Sequence, residues 1–264
     1  MLSKNSIDRL IRKITLLILL TVISGHVLAQ SSGGLPPVER SVGKKNQSTQ
    51  FDNPNLSLSL YKSIPVELQA LDQQIIFTNP IGYCTPGGSK REKELVSQAR
   101  QMLGNTVRLV HVAVKCDELE NYRIGRIETL DHWLQIQLIG PKGEFKRIEL
   151  SREVFLNALA KSSPKLNMEE LKKKINTQLK DLDLNLSNIN VHQIGKDGNA
   201  FYMASRSLLT YGEKSKPVTG LGGVTLINSL PLGVWIYESS GTPQSRDQLH
   251  LVLQQAFVSL FTQN

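Results

Sequence analysis

Apolar and polar positions alternate along this chain in short runs, broken by a few longer helical stripes. Residues 56–61 (LSLSLY) change sides at every step, as a half-buried strand does. A connector beginning at Ile64-Pro65-Val66 leads to residues 74–78 (QIIFT), a second strand-length run. A turn-rich segment, NPIGYCTPGG, comes next. Ser89-Lys90-Arg91-Glu92 then fits a capping box, in which the serine accepts the Glu92 amide and the glutamate reaches back to the cap. The helix it opens carries Leu95, Val96, Ala99, Met102 and Leu103 on one side and stops at Gly104. Residues 106–115 (TVRLVHVAVK) read as a strand, with Val107, Leu109, His111 and Ala113 on one face and Val110, Val112 and Val114 on the other.

Residues 123–139 predict one strand, bent near Asp131, with Trp133, Leu134, Ile136 and Leu138 as its apolar part. Gly140-Pro141-Lys142-Gly143 turns it into a return strand over 144–150 (EFKRIEL). Ser151 caps a helix with Val154, Phe155, Leu156, Ala158 and Leu159 inside. Ser163-Pro164 interrupts it, and a lysine-rich helix follows to about Leu182. Two more hairpins join 189–194 to 200–208 and 224–228 to 232–238. Ser245-Arg246-Asp247-Gln248 is a second capping box, opening a last helix with Leu249, Val252, Leu253, Ala256, Phe257, Leu260 and Phe261 on its buried stripe.

This order predicts an α+β fold over residues 56–264: a mostly antiparallel sheet flanked by helices, one β-α-β crossover, and a long C-terminal helix. The crossover would set residues 74–78 and 106–115 side by side and parallel. A single domain is preferred because one continuous sheet buries more than two halves split around residues 161–186. The element order, ending in the hairpin VTLINSLPLGVWIY and the long C-terminal helix, resembles the α/β/α sandwich of PsbP/Mog1-like proteins. That likeness of layout implies binding or accessory work by analogy alone, and it carries over no site residue.

The first 29 residues change the picture. Lys4, Arg9, Arg12 and Lys13 precede the apolar run ITLLILLTVI, and Val27-Leu28-Ala29 offers a signal-peptidase site that leaves Gln30 first. Read instead as a membrane anchor, residues 14–29 would span about 24 Å as a helix, short of a ~30 Å hydrocarbon core. Residues 1–29 are therefore expected to be a cleaved signal peptide, touching the membrane only in transit to the periplasm or the outside. Residues 30–55, rich in Ser, Gly, Pro, Asn and Gln, read as a flexible linker. Without the signal the chain holds 27 basic and 22 acidic residues, which argues against a dedicated nucleic-acid binder. Lys172-Lys173-Lys174 reads as the solvated face of an amphipathic helix, with contact to an anionic polymer or lipid as its rival.

In an oxidising compartment two cysteines, Cys84 and Cys116, favour a disulfide worth roughly 3 kcal/mol or more. In the crossover, both would fall at the same sheet edge. The rival is a nucleophilic Cys84 with His111 or His132 as base. His111, His132, His192 and His250 show no metal-ligand spacing, so no metal or cofactor is expected. His132, beside Asp131 and Trp133, reads as a polar strand position. Asp72, Asp117, Glu118 and Glu120 have no assigned partner. TPGGSK before the first helix lacks the spacing of a phosphate loop, GLGG precedes a strand where a dinucleotide site needs a helix, and no GxSxG is present. Candidate binding residues therefore rest on two loops: 79–89, with Tyr83, Thr85 and Ser89, and the glycine-rich 211–223, with Tyr211, Lys214 and Lys216. The expected function is a non-catalytic exported protein that binds an envelope, secreted or host partner. The alternative is an exported hydrolase or thiol enzyme.

Overall fold

The computed structural model describes residues 65–103, 107–140, 143–161, 172–173, 176–177, 184–239 and 246–264. The expected signal peptide, the linker, the strand over 56–61 and the cap at Ser245 lie outside them. So does most of the lysine-rich helix, although Lys172 and Lys173 are helical.

The chain opens with a hairpin, β1 (Pro65–Ala70) and β2 (Gln73–Thr78), paired antiparallel. β3 (Tyr83–Cys84), α1 (Lys90–Met102), β4 (Val107–Lys115), α2 (Cys116–Arg123), β5 (His132–Ile139) and α3 (Arg152–Lys161) follow. Three long strands then come in succession, β6 (Leu184–Lys196), β7 (Phe201–Tyr211) and β8 (Lys214–Ile227), before β9 (Leu230–Glu238) and α4 (Arg246–Thr262). β1 and β2 form a sheet of their own. The other seven strands make one sheet in the order β3-β4-β5-β9-β8-β7-β6. The fold is thus α+β, with a large antiparallel sheet and a C-terminal helix.

Apolar side chains leave this sheet on both faces, as the two-residue period of its strands requires. On one face Leu95 of α1, Leu119 of α2 and Phe155 and Leu159 of α3 pack with Trp133, Trp235 and Tyr237. On the other, Ile75 and Phe77 of β2 and Leu249, Leu253 and Leu260 of α4 cover Leu134, Val234 and Ile236. The Thr78 amide donates to Ser259 Oγ (2.6 Å), and the Asn264 side chain bonds both backbone groups of Ile76, so β2 is tied to α4. Among the described residues no helix is long and apolar enough to cross a membrane.

Four expectations need correction. No parallel crossover pair forms: every described strand pair is antiparallel, and β2 pairs with β1 in a separate sheet. The strand beside β4 is the two-residue β3, which runs against it. In β4 a register shift between Leu109 and His111 breaks the alternation read from the sequence. Val107 and Leu109 therefore share a face with Val112 and Val114, while Val110 and Ala113 join the α4 side. The strand read over 123–139 is extended only at His132–Ile139, with Arg123 closing α2 instead, and residues 144–150 form no strand, held by the Ile148 amide on the Ser229 carbonyl (2.8 Å).

The fourth correction concerns the glycine-rich loop over 211–223. Its described part is a tight turn at Gly212-Glu213 leading into the fourteen-residue β8. The glycines serve packing: a Cβ at Gly222 would lie 1.8 Å from the Trp235 ring, so the indole rests on bare backbone.

Candidate functional site

The chemistry gathers at one end of the large sheet, around the disulfide. β3 sets Cys84 opposite Val114, and β4 ends at Lys115, immediately before α2. Cys116 is the first residue of that helix and is bonded to Cys84, with their Cα atoms 5.0 Å apart. The cysteines meet at one sheet edge as expected, but through an antiparallel pairing. The bond pins the start of α2 to the outermost strand. α2 follows a plain helical logic, with Asp117 and Glu118 in its first turn, Arg123 in its last, and Leu119 and Tyr122 buried one turn apart.

Glu118 points from this helix to the start of β5. Its carboxylate accepts the amides of Asp131 (2.8 Å) and His132 (3.0 Å) and also pairs with His132 Nδ1. The one carboxylate thus bridges two backbone amides and the imidazole, fixing the ring's orientation at the start of β5. The other ring nitrogen, Nε2, lies 3.8 Å from Glu238 Oε1 on β9 and makes no hydrogen bond among the described residues. His132 and Glu238 are only 7% and 2% exposed, so this polar group sits in a low-dielectric setting where each charge acts strongly.

The sheet register extends the cluster into a row. His132 stands opposite Glu238, Glu238 opposite Thr219, Thr219 opposite Arg206, and Arg206 opposite Asn190. Directly opposed residues share a face, so one polar line crosses five strands. Thr219 is half-buried, and Arg206 and Asn190 are exposed, so the line runs from a buried acid-imidazole centre out to open surface. Tyr83, opposite Lys115, packs on that same face. Its hydroxyl is buried without a hydrogen bond among the described residues, and its pKa is driven up first by burial and then by Glu118, Glu238 and Asp117. Below the centre, Asp131 accepts from Lys216 Nζ (2.9 Å) and Ser239 Oγ (2.9 Å), which joins β8 and β9 to the start of β5.

The residues singled out from the sequence separate into different roles. Tyr83 and Lys216 flank the cluster. Thr85 accepts the Asn79 amide (3.0 Å), and Ser89 caps α1 with Glu92 as its reciprocal acceptor, so neither faces His132. Lys214 is exposed on β8, and the Tyr211 side chain lies outside the described residues. His111 is buried against Phe77 and bonded to Asn79 Oδ1 (2.8 Å), away from the cluster. His192 and His250 are exposed. Glu118 and Glu238 were missed as site residues, since β5 and β9 meet only in three dimensions. The Asp-Glu start and Leu119–Tyr122 spacing of α2 were the available signal. Among the described residues no group of three or more His, Cys, Asp or Glu is arranged to hold a metal ion.

No protein-family model matches the chain, and no curated protein matches it.

Proposed function

We propose that the chain is an exported, non-catalytic binding or accessory protein of the cell envelope that engages its partner at the sheet end built from Tyr83, Glu118, His132 and Glu238. The observation that carries this reading is the Cys84–Cys116 disulfide, which belongs to an oxidising compartment and fastens the helix that supplies Glu118. The apolar segment ITLLILLTVI behind four basic residues supports a cleaved leader ending at Ala29. A polar row reaching from a buried centre to exposed Arg206 and Asn190 gives a partner fixed hydrogen-bonding groups on a rigid sheet. The resemblance in element order to PsbP/Mog1-like proteins points the same way by analogy. The rival thiol enzyme has no nucleophile while both sulfurs are bonded to each other.

The test is to produce the full chain and a version lacking residues 1–29 and to titrate thiols in both without reduction. The full chain is expected in the envelope or external fraction, starting at Gln30 and showing no free thiol, whereas the leaderless form stays inside with two. A full-length protein retained in the cytoplasm with both thiols free would overturn the proposal. Conversion of Glu118 to Gln should then weaken partner retention in the envelope fraction. Unchanged retention would move the binding surface elsewhere.

A further inference from the structure

β2 closes the two-stranded sheet on one side, and β6 lies at the rim of the seven-stranded one. Where antiparallel strands place residues opposite each other without mutual hydrogen bonds, both backbone groups of each residue point outward. Ile76 of β2, opposite Glu67, and Leu186 of β6, opposite Leu209, hold such positions, and at each an asparagine takes the outward pair. The Ile76 amide donates to Asn264 Oδ1 (2.9 Å), and its carbonyl accepts from Asn264 Nδ2 (2.8 Å). The Leu186 amide donates to Asn176 Oδ1 (2.8 Å), and its carbonyl accepts from Asn176 Nδ2 (3.1 Å). Each side-chain amide thus offers one acceptor and one donor to a single strand residue, as the backbone of a further strand would.

On β2 the closure continues along the helix. Gln255, Ser259 and Gln263 recur every four residues on α4 and just past its end, and so lie in one row. Gln255 Oε1 accepts the Ile81 amide (3.2 Å), Ser259 Oγ accepts the Thr78 amide, and Gln263 Nε2 donates to Thr78 Oγ1 (2.8 Å). Asn264 Nδ2 also donates to the Leu260 carbonyl (3.0 Å), which holds its amide in place. Both strands have a composition that needs such closure. β2 (QQIIFT) has no charge, proline or glycine, the pattern of segments that stack with strands of other chains. Residues 184–195 of β6 hold no Asp, Glu, Lys or Arg, so the lysine that commonly blunts an edge is missing. Beyond Leu186, register shifts between Ser187 and Asn190 and between Gln193 and Gly195 break the β6 ladder. We propose that Asn176, and Asn264 with the polar row of α4, are edge guards, which occupy outward backbone groups of β6 and β2 so that no strand of a second copy can add there.

The experiment uses the full-length gene product, purified from the compartment where its disulfide forms, at about 100 µM. Sedimentation velocity and thioflavin T fluorescence follow strand-linked oligomers, and native-state amide exchange reads the guarded positions. Wild type is expected to form no such oligomers. Asn264→Ala should speed exchange at Ile76 at least tenfold, Asn176→Ala should do so at Leu186, and both should give slowly growing β-rich oligomers. Asn264→Lys loses the same bonds but sets a charge on the edge, so Ile76 should exchange fast while oligomers stay absent. Val252→Ala loosens the packing of α4 without removing any of these hydrogen bonds, and should also form none. Circular dichroism checks that each variant keeps its fold. Alanine variants at the two asparagines that form no oligomers would overturn the proposal. So would oligomers of the wild type, or oligomers of N264K or V252A to the extent seen with N264A.

Discussion

His111 allows the burial argument to be tested quantitatively. The ring is 6% exposed, its edge meets Phe77 at 5.3 Å between centroids, and its Nε2 is 2.8 Å from Asn79 Oδ1. Asn79 Nδ2 donates to Thr85, which leaves Oδ1 as acceptor and fixes Nε2 as the protonated nitrogen of a neutral ring. Burial pushes the His111 pKa down to about 4, whereas an unfolded chain titrates near 6.5. Between those values the unfolded state binds the extra proton. Stability is therefore complete above pH 6.5 and is lost as the pH falls towards 4. At 1.36 kcal/mol per decade the loss is about 3 kcal/mol. The perturbation is His111→Gln, which keeps an N–H donor for Asn79 and cannot be protonated. Urea unfolding followed by far-ultraviolet circular dichroism at pH 7.5, 6 and 4.5 gives the stability of both proteins. The variant should be less stable at pH 7.5 and approach or overtake the wild type by pH 4.5. Carboxylates common to both cancel in the difference. Parallel pH profiles would refute the claim that His111 is held neutral by burial.

Other changes test the remaining joints of the fold. Replacing Cys116 with Ser should lower stability by roughly 3–4 kcal/mol in the chain-entropy model for a 32-residue separation, read as a fall in urea midpoint. Gly222→Ala places a methyl against the Trp235 ring on a backbone that cannot retreat, and should cost about 1–3 kcal/mol or more in thermal unfolding. Burial alone would raise the pKa of Glu92, but hydrogen bonds from the Ser89 amide and the Arg123 side chain, its charge, and the Gly87 amide together hold it below the usual value. Its contribution is thus present above the unfolded carboxylate pKa and lost as pH falls. Glu92→Gln should cost about 1.5–3 kcal/mol at pH 7, and the difference from wild type should shrink in acid unfolding measurements.

Local chemistry made much of this architecture legible. The Ser89–Glu92 capping box forms as its residues dictate, the β8–β9 hairpin follows from its apolar runs, and Leu249, Leu253, Ala256, Phe257 and Leu260 are buried on the last helix as their spacing requires. What stayed hidden depends on one residue too many or on distant partners. The bulge in β4 reassigns Val112 and Val114 to the side of Val107 and Leu109, and strict alternation cannot anticipate it. The glycines of β8 looked like loop residues because the indole that needs their bare backbone comes from Trp235, on the next strand. The Glu118–His132–Glu238 centre draws on α2, β5 and β9, so each member looked solitary along the chain.

The strand order also governs when this protein can fold. The two halves of the large sheet, β3-β4-β5 and β9-β8-β7-β6, are joined along the single seam between β5 and β9, which pairs residues 132–138 with 232–238. During synthesis the first half therefore waits for the last described strand, and the covering helix α4 comes later still. Such long-range pairing is slow, because a long loop must close before the contacts reward it. The large sheet can consequently close only after residues 232–238 have been made. The β3–α2 end, whose two cysteines are neighbours by comparison, can be locked before the seam closes.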